Sequence, residues 1–71
     1  MPIDFRAFKK QIESEGYLVE QTRRGHFRVR TPQGNVLVFF AVSHGSRTKG
    51  GEVWDSYVKE VMKAIKNHKL S

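Results

Sequence analysis

The chain has 71 residues, a net charge of +6 and no cysteine. This length predicts a single domain over residues 1–71, near the smallest size at which a chain buries a sufficient core alone. No disulfide can support that core, and the lack of cysteine fits a reducing compartment. We expect no signal peptide in the first residues, because a charged residue interrupts them before an apolar stretch forms, and the longest apolar run, 36–42, is too short to cross a bilayer. We therefore expect a cytoplasmic protein with no membrane contact.

The excess positive charge lies between Gln21 and Gly51, a stretch with six basic residues and no acidic residue. The rest of the chain carries seven basic and seven acidic residues, so it is neutral. A surface of one sign is typical of proteins that contact phosphates. The alternative is a solvated face that aids solubility, although such a face usually mixes both signs. The basic residues of the stretch are Arg23, Arg24, Arg28, Arg30, Arg47 and Lys49.

A first helix is predicted from Asp4 to Glu15. Asp4 is a suitable N-cap, because its carboxylate can accept the free amide hydrogens of the first turn. Gly16 stands where a helix commonly ends with a left-handed residue. The apolar residues that share one helical face are Phe5, Phe8 and Ile12.

Three strands are predicted next, at 17–22, 26–31 and 36–41. The first places Tyr17 and Val19 on one side and Glu20 on the other. Residues 23–25 form a tight turn, and residues 31–35 form a second turn with proline and glycine. In the second strand Phe27 and Val29 alternate with His26, Arg28 and Arg30, whereas the third strand is apolar on both faces.

A glycine-rich basic loop from Ser43 to Gly51 precedes a last helix, predicted from Glu52 to Asn67. The apolar side of this helix has strong helical periodicity, and we expect its tryptophan to pack in the core. His68 follows the helix and is expected to be a weak partner of its dipole. The periodic residues are Trp54, Val58, Val61, Met62 and Ile65.

The element order is therefore α-β-β-β-α, an α+β class. Because the turns are too short for parallel crossovers, the sheet is expected to be a three-stranded antiparallel meander. Both helices need an apolar surface, so we expect them on one face of the sheet. The other face then presents His26, Arg28 and Arg30.

This order is that of the double-stranded-RNA-binding-domain fold. Within it, Gly25-His26-Phe27-Arg28-Val29, followed by Thr31-Pro32-Gln33-Gly34-Asn35 and an apolar strand, resembles the HicA family. Members of that family are small mRNA-cleaving toxins of bacterial toxin–antitoxin pairs, with related short proteins in phages. The chain departs from the family pattern at Arg24, where glycine is usual, and in the longer, glycine-rich loop 43–51.

The resemblance implies that His26 is the catalytic histidine, that RNA is the substrate and that a HicB-like antitoxin is a partner. A metal-free ribonuclease needs a group that accepts or donates a proton, and histidine can do this near neutral pH. It also needs cations that stabilise the negative charge of the phosphorane, and arginine supplies these. His44 is a candidate second acid or base. The alternative for His26 is a surface histidine beside a turn, with no role.

Other chemistries fit the sequence poorly. The glycine-rich loop lacks the Gly-Lys-Ser/Thr ending of a P-loop, and three widely spaced histidines without cysteine do not suggest zinc. We expect no metal and no cofactor.

Two alternatives to an RNA-cleaving protein remain open. One is a binding module of the same fold that recognises A-form RNA without cleaving it. The other is a small phage or bacterial adaptor that binds a protein through the apolar third strand. That strand is also predicted to mediate a homodimer, since an uncovered apolar edge is an aggregation hazard.

Overall fold

The fold consists of two helices and five strands in a computed structural model that describes residues 2–43 and 51–71. The elements are β1 (Ile3–Asp4), α1 (Phe5–Ser14), β2 (Leu18–Arg23), β3 (His26–Arg30), β4 (Val36–Ala41), β5 (Glu52–Val53) and α2 (Asp55–Leu70).

The main sheet is antiparallel and has the order β2-β3-β4. It joins with the two helices into the α+β architecture that the sequence predicts. In its register Glu20 lies opposite Arg28, and Arg28 lies opposite Phe39. Opposite residues of an antiparallel pair point to the same side, so these three side chains share one face of the sheet.

Both helices pack against the other face of the sheet. Phe8 of α1 makes an edge-to-face contact with Phe40, at 5.5 Å between ring centroids, and Phe5 lies 4.5 Å from Phe27. Residues of α1, α2 and the sheet thereby form one core. Its buried members are Phe8, Ile12, Tyr17, Val29, Phe40, Val42, Val53, Val61 and Ile65.

The local signals at the ends of α1 and in the β2–β3 turn are confirmed. The Asp4 carboxylate accepts a hydrogen bond from the Ala7 amide at 3.3 Å, as an N-cap should. Gly16 after α1 and Gly25 in the turn have φ angles of 90° and 76°, in the left-handed region that glycine tolerates best.

The predicted start of the last helix at Glu52 is wrong, because the chain is extended there. β5 pairs with β1 in a second, two-stranded sheet, in which Val53 lies opposite Ile3. Glu52 also exchanges two backbone hydrogen bonds of 2.8 Å with Ser43. These pairings keep the backbone extended as far as Trp54, so that α2 begins at Asp55 and continues to Leu70.

Two side chains of the last helix differ from their predicted roles. Trp54 precedes α2 and is 55% exposed, so its predicted place in the core is wrong. His68 lies inside α2 rather than after it. Its Nδ1 is 2.6 Å from the Tyr17 hydroxyl in a partly buried hydrogen bond.

Strand β4 departs from simple alternation. The register shifts between Val29 and Arg30, and Val36 is 42% exposed while Leu37 packs against the core. Strict alternation would have placed Val36 with Phe40 and Leu37 with Phe39. A bulge of this kind changes the side to which the following residues point.

No helix within the described ranges 2–43 and 51–71 has the length and apolar character needed to cross a membrane.

Candidate nucleic-acid interface

An open cleft of about 510 Å³ lies at the end of the main sheet that carries the β2–β3 turn. Residues from three strands and from the first turn of α2 meet there, although they are distant in sequence. The described residues that line it are Thr22, Arg23, His26, Phe27, Arg28, Phe39, Phe40 and Tyr57.

The alternation of β3 places two of the polar residues of this cleft, His26 and Arg28. Val29 is fully buried and Phe27 packs against the core, so His26 and Arg28 point to the uncovered face. The β2–β3 turn fixes the position of His26, because its carbonyl oxygen accepts a hydrogen bond from Thr22 Oγ1 at 3.3 Å. His26 is exposed. Among the described residues, none hydrogen-bonds its ring.

A cluster of two arginines and one glutamate occupies the middle of the uncovered face. Arg28 Nε donates to Glu20 Oε1 at 2.8 Å, and Arg30 Nε donates to the same oxygen. The hydrogen bond from Arg30, followed by that from Arg28, holds the pKa of the Glu20 carboxyl below its usual value. Glu20 is therefore an anion at neutral pH and offsets one of the two positive charges.

The two arginines of this cluster differ in how many of their guanidinium nitrogens remain available to a ligand. Arg30 also donates from Nη1 to the Gly34 carbonyl oxygen at 2.5 Å, which ties it to the β3–β4 turn. Arg28 uses Nε alone among the described hydrogen bonds and lines the cleft. Arg28 can thus offer both terminal nitrogens to a phosphate, whereas Arg30 mainly stabilises the sheet.

The remaining predicted basic residues fall into two groups. Arg23 and Arg24 are exposed at the β2–β3 turn, and Arg23 lines the cleft while Arg24 is not among its lining residues. Arg47 and Lys49 lie outside the described residues, as does His44. The structure therefore brings Arg23, His26 and Arg28 together.

Three residues of the site were not predicted as functional. Glu20 was placed on the correct face, but its pairing with both arginines depends on the strand register. Phe39 lies on a strand that the sequence shows to be apolar on both faces, without indicating which face the helices cover, and it is 60% exposed beside Arg28. Tyr57 enters the cleft from α2, and its sequence neighbours gave no signal of this.

Within 2–43 and 51–71 no cluster of three or more histidine, aspartate or glutamate residues is placed to hold a metal ion.

Comparison of the chain with protein-family models, with curated proteins and with solved structures finds no match. The resemblance to HicA toxins consequently rests on the element order and on residues 25–35. The function is argued below from the cleft itself.

Proposed function

We propose that this protein binds RNA and cleaves it at the His26 cleft without a metal ion, as a HicA-like endoribonuclease with a double-stranded-RNA-binding-domain-like fold. The observation that carries the proposal is the position of His26 beside Arg28 and Arg23 in an open cleft, at the end of the main sheet that carries the β2–β3 turn. The α-β-β-β-α order, with both helices on one face, supports the fold assignment. The short strands β1 and β5 are additions to that order.

The proposed reaction uses the nucleophile that RNA itself carries. The His26 imidazole accepts the proton of a 2′-hydroxyl, and the oxygen attacks the adjacent phosphorus. Arg28 and Arg23 stabilise the negative charge of the phosphorane. The bond from phosphorus to the 5′-oxygen then breaks, leaving a 2′,3′-cyclic phosphate on one product, and the departing oxygen takes a proton from solvent or from the predicted second acid, His44.

One histidine limits the rate that this cleft can reach. Acid–base catalysis by a single positioned group contributes roughly 10²- to 10⁴-fold. Because no described residue orients the His26 ring, we expect slow turnover, with cleavage that depends on how the bound RNA holds the imidazole. A HicB-like antitoxin that covers the cleft is the partner that the family resemblance implies.

The direct test is cleavage of a labelled single-stranded RNA in the presence of EDTA. Wild-type protein should cut the strand and leave cyclic phosphate ends, and His26→Ala should not cut it. The exposed position of His26 predicts a change in unfolding free energy within about 0.5 kcal/mol. Gln11→Ala, at an exposed position on α1 outside the cleft, is the control and should cut RNA.

Other outcomes of this assay decide between the proposals. RNA that is bound but left uncut by the wild-type protein would support the non-catalytic binding module, a reading favoured by the absence of a described hydrogen bond to the His26 ring. Equal cutting by wild type and His26→Ala would show that His26 is not the catalytic residue.

A further inference from the structure

Phe39 is the large aromatic side chain that β4 leaves uncovered on the face opposite the helices. It is 60% exposed, while its neighbour Phe40 is 2% exposed and packs against Phe8. Exposing an aromatic ring of this size forgoes the stabilisation that burial would provide. A ring held on a regular strand beside a cleft has the rigidity that a binding platform needs.

The neighbours of Phe39 are cationic. Arg28 lies directly opposite it in the β3–β4 register, which places the two Cβ atoms about 4.5–5.5 Å apart. Both side chains line the cleft that contains His26 and Arg23. His26 is two residues from Arg28 on the same strand, about 7 Å along β3. An extended nucleic-acid strand can cover that distance within one nucleotide step.

We propose that Phe39 is a stacking platform for one unpaired base and that the cleft consequently selects single-stranded RNA; this rests on the proposed function. The base lies on the Phe39 ring, and the phosphate beside it contacts the terminal nitrogens of Arg28. The next phosphodiester along the strand then reaches His26. Charge complementarity on the basic face favours a polyanion as the occupant over an apolar protein segment.

A duplex cannot use this platform. In an A-form helix the flat faces of the bases are stacked on one another, and proteins contact the phosphates and 2′-hydroxyls instead. Unpaired bases expose their faces and stack on aromatic side chains with little dependence on sequence. The platform therefore predicts a preference for single strands over duplexes and little preference among bases.

The binding test uses a short, fluorescently labelled 2′-O-methyl RNA strand, which cannot be cut by 2′-hydroxyl attack, and the duplex formed from the same strand. Phe39→Ala should weaken single-strand binding by about 5- to 100-fold, the loss expected for one stacked base. Phe39→Leu keeps an apolar side chain without an aromatic face and should lose a similar factor. Val36→Ala is the matched control on the same strand, and it should bind like wild type.

A spectroscopic readout locates the base. Trp54 is the one tryptophan of the chain, so W54F/F39W carries a single indole on the platform. Addition of the single strand should quench the fluorescence of that indole, and addition of the duplex should leave it unchanged. Quenching by the single strand requires contact between base and ring, which a purely structural role of Phe39 would not produce.

Contrary outcomes separate this proposal from the proposed function. If Phe39→Ala and Phe39→Leu bind the single strand as wild type does, or if wild type prefers the duplex, the platform is wrong although RNA binding stands. If Phe39→Ala and wild type bind the single strand equally at concentrations where both are monomers, Phe39 acts only through self-association and the platform is again wrong. If neither RNA binds at any salt concentration, both proposals fail.

Discussion

Glu20 sets how much of the positive charge on the uncovered face is available to a ligand. It is the acceptor for both Arg28 and Arg30, and these hydrogen bonds keep it ionised by lowering its pKa. The stretch from Gln21 to Gly51 has no acidic residue in sequence, yet the pairing of β2 with β3 places Glu20 between its arginines. A phosphate that binds Arg28 must share it with this carboxylate.

We predict that Glu20→Gln tightens RNA binding and steepens its dependence on salt. The substitution removes the charge that competes with phosphate for Arg28, and it leaves a side chain of the same size. Glu13→Gln, on the exposed side of α1, changes the net charge equally and is the control. Fluorescence anisotropy of labelled RNA measures both. Equal affinities for the two variants would mean that Glu20 has no local effect on the site.

Within elements, the sequence predicts what local interactions decide. Three confirmed predictions involve residues that are near neighbours in the chain. They are the N-cap at Asp4, the glycines after α1 and in the β2–β3 turn, and the alternation of side chains along β3. The start of α2 was missed because the pairing of Val53 with Ile3 joins residues about 50 positions apart, and it overrides a good helical pattern. Likewise, Glu20 meets Arg30 only through the register of β2 and β3.

The Tyr17–His68 hydrogen bond joins the beginning of the sheet to the last turn of α2. Tyr17→Phe should lower the free energy of unfolding by about 1 kcal/mol, since it removes one side of a partly buried hydrogen bond. In a domain of this size that corresponds to a fall of about 4–8 °C in melting temperature. Tyr57→Phe, for which no hydroxyl hydrogen bond is described, is the control. If both variants have the melting temperature of the wild-type protein, the hydrogen bond does not stabilise the fold.

At the scale of the whole molecule, β4 is an edge of the main sheet, as the sequence predicts. Two copies that pair through their β4 edges would form one larger sheet, with both clefts on its uncovered face. Such pairing uses backbone groups and leaves Phe39 on the face, so it is compatible with a base-stacking role.

The predicted homodimer is measured by light scattering at tens of micromolar. Wild-type protein should have the mass of a dimer, and Phe39→Lys should shift it toward the monomer, because a charge on an edge strand opposes strand addition. Leu18→Lys places the same charge on β2, the other edge, and should remain dimeric. A monomeric mass for wild-type protein would contradict the prediction.

The basic face itself is tested by the salt dependence of RNA binding, measured for wild type, Arg28→Ala and Arg30→Ala. Affinity should fall steeply as salt rises, because each neutralised phosphate releases counterions. For a single strand, the slope of log binding constant against log salt concentration changes by about 0.7 per neutralised phosphate. Arg28→Ala should weaken binding and flatten the slope, and Arg30→Ala should do so less, since Glu20 and Gly34 already engage it. If the wild-type protein does not bind RNA at low salt, the proposal that this protein acts on RNA is contradicted.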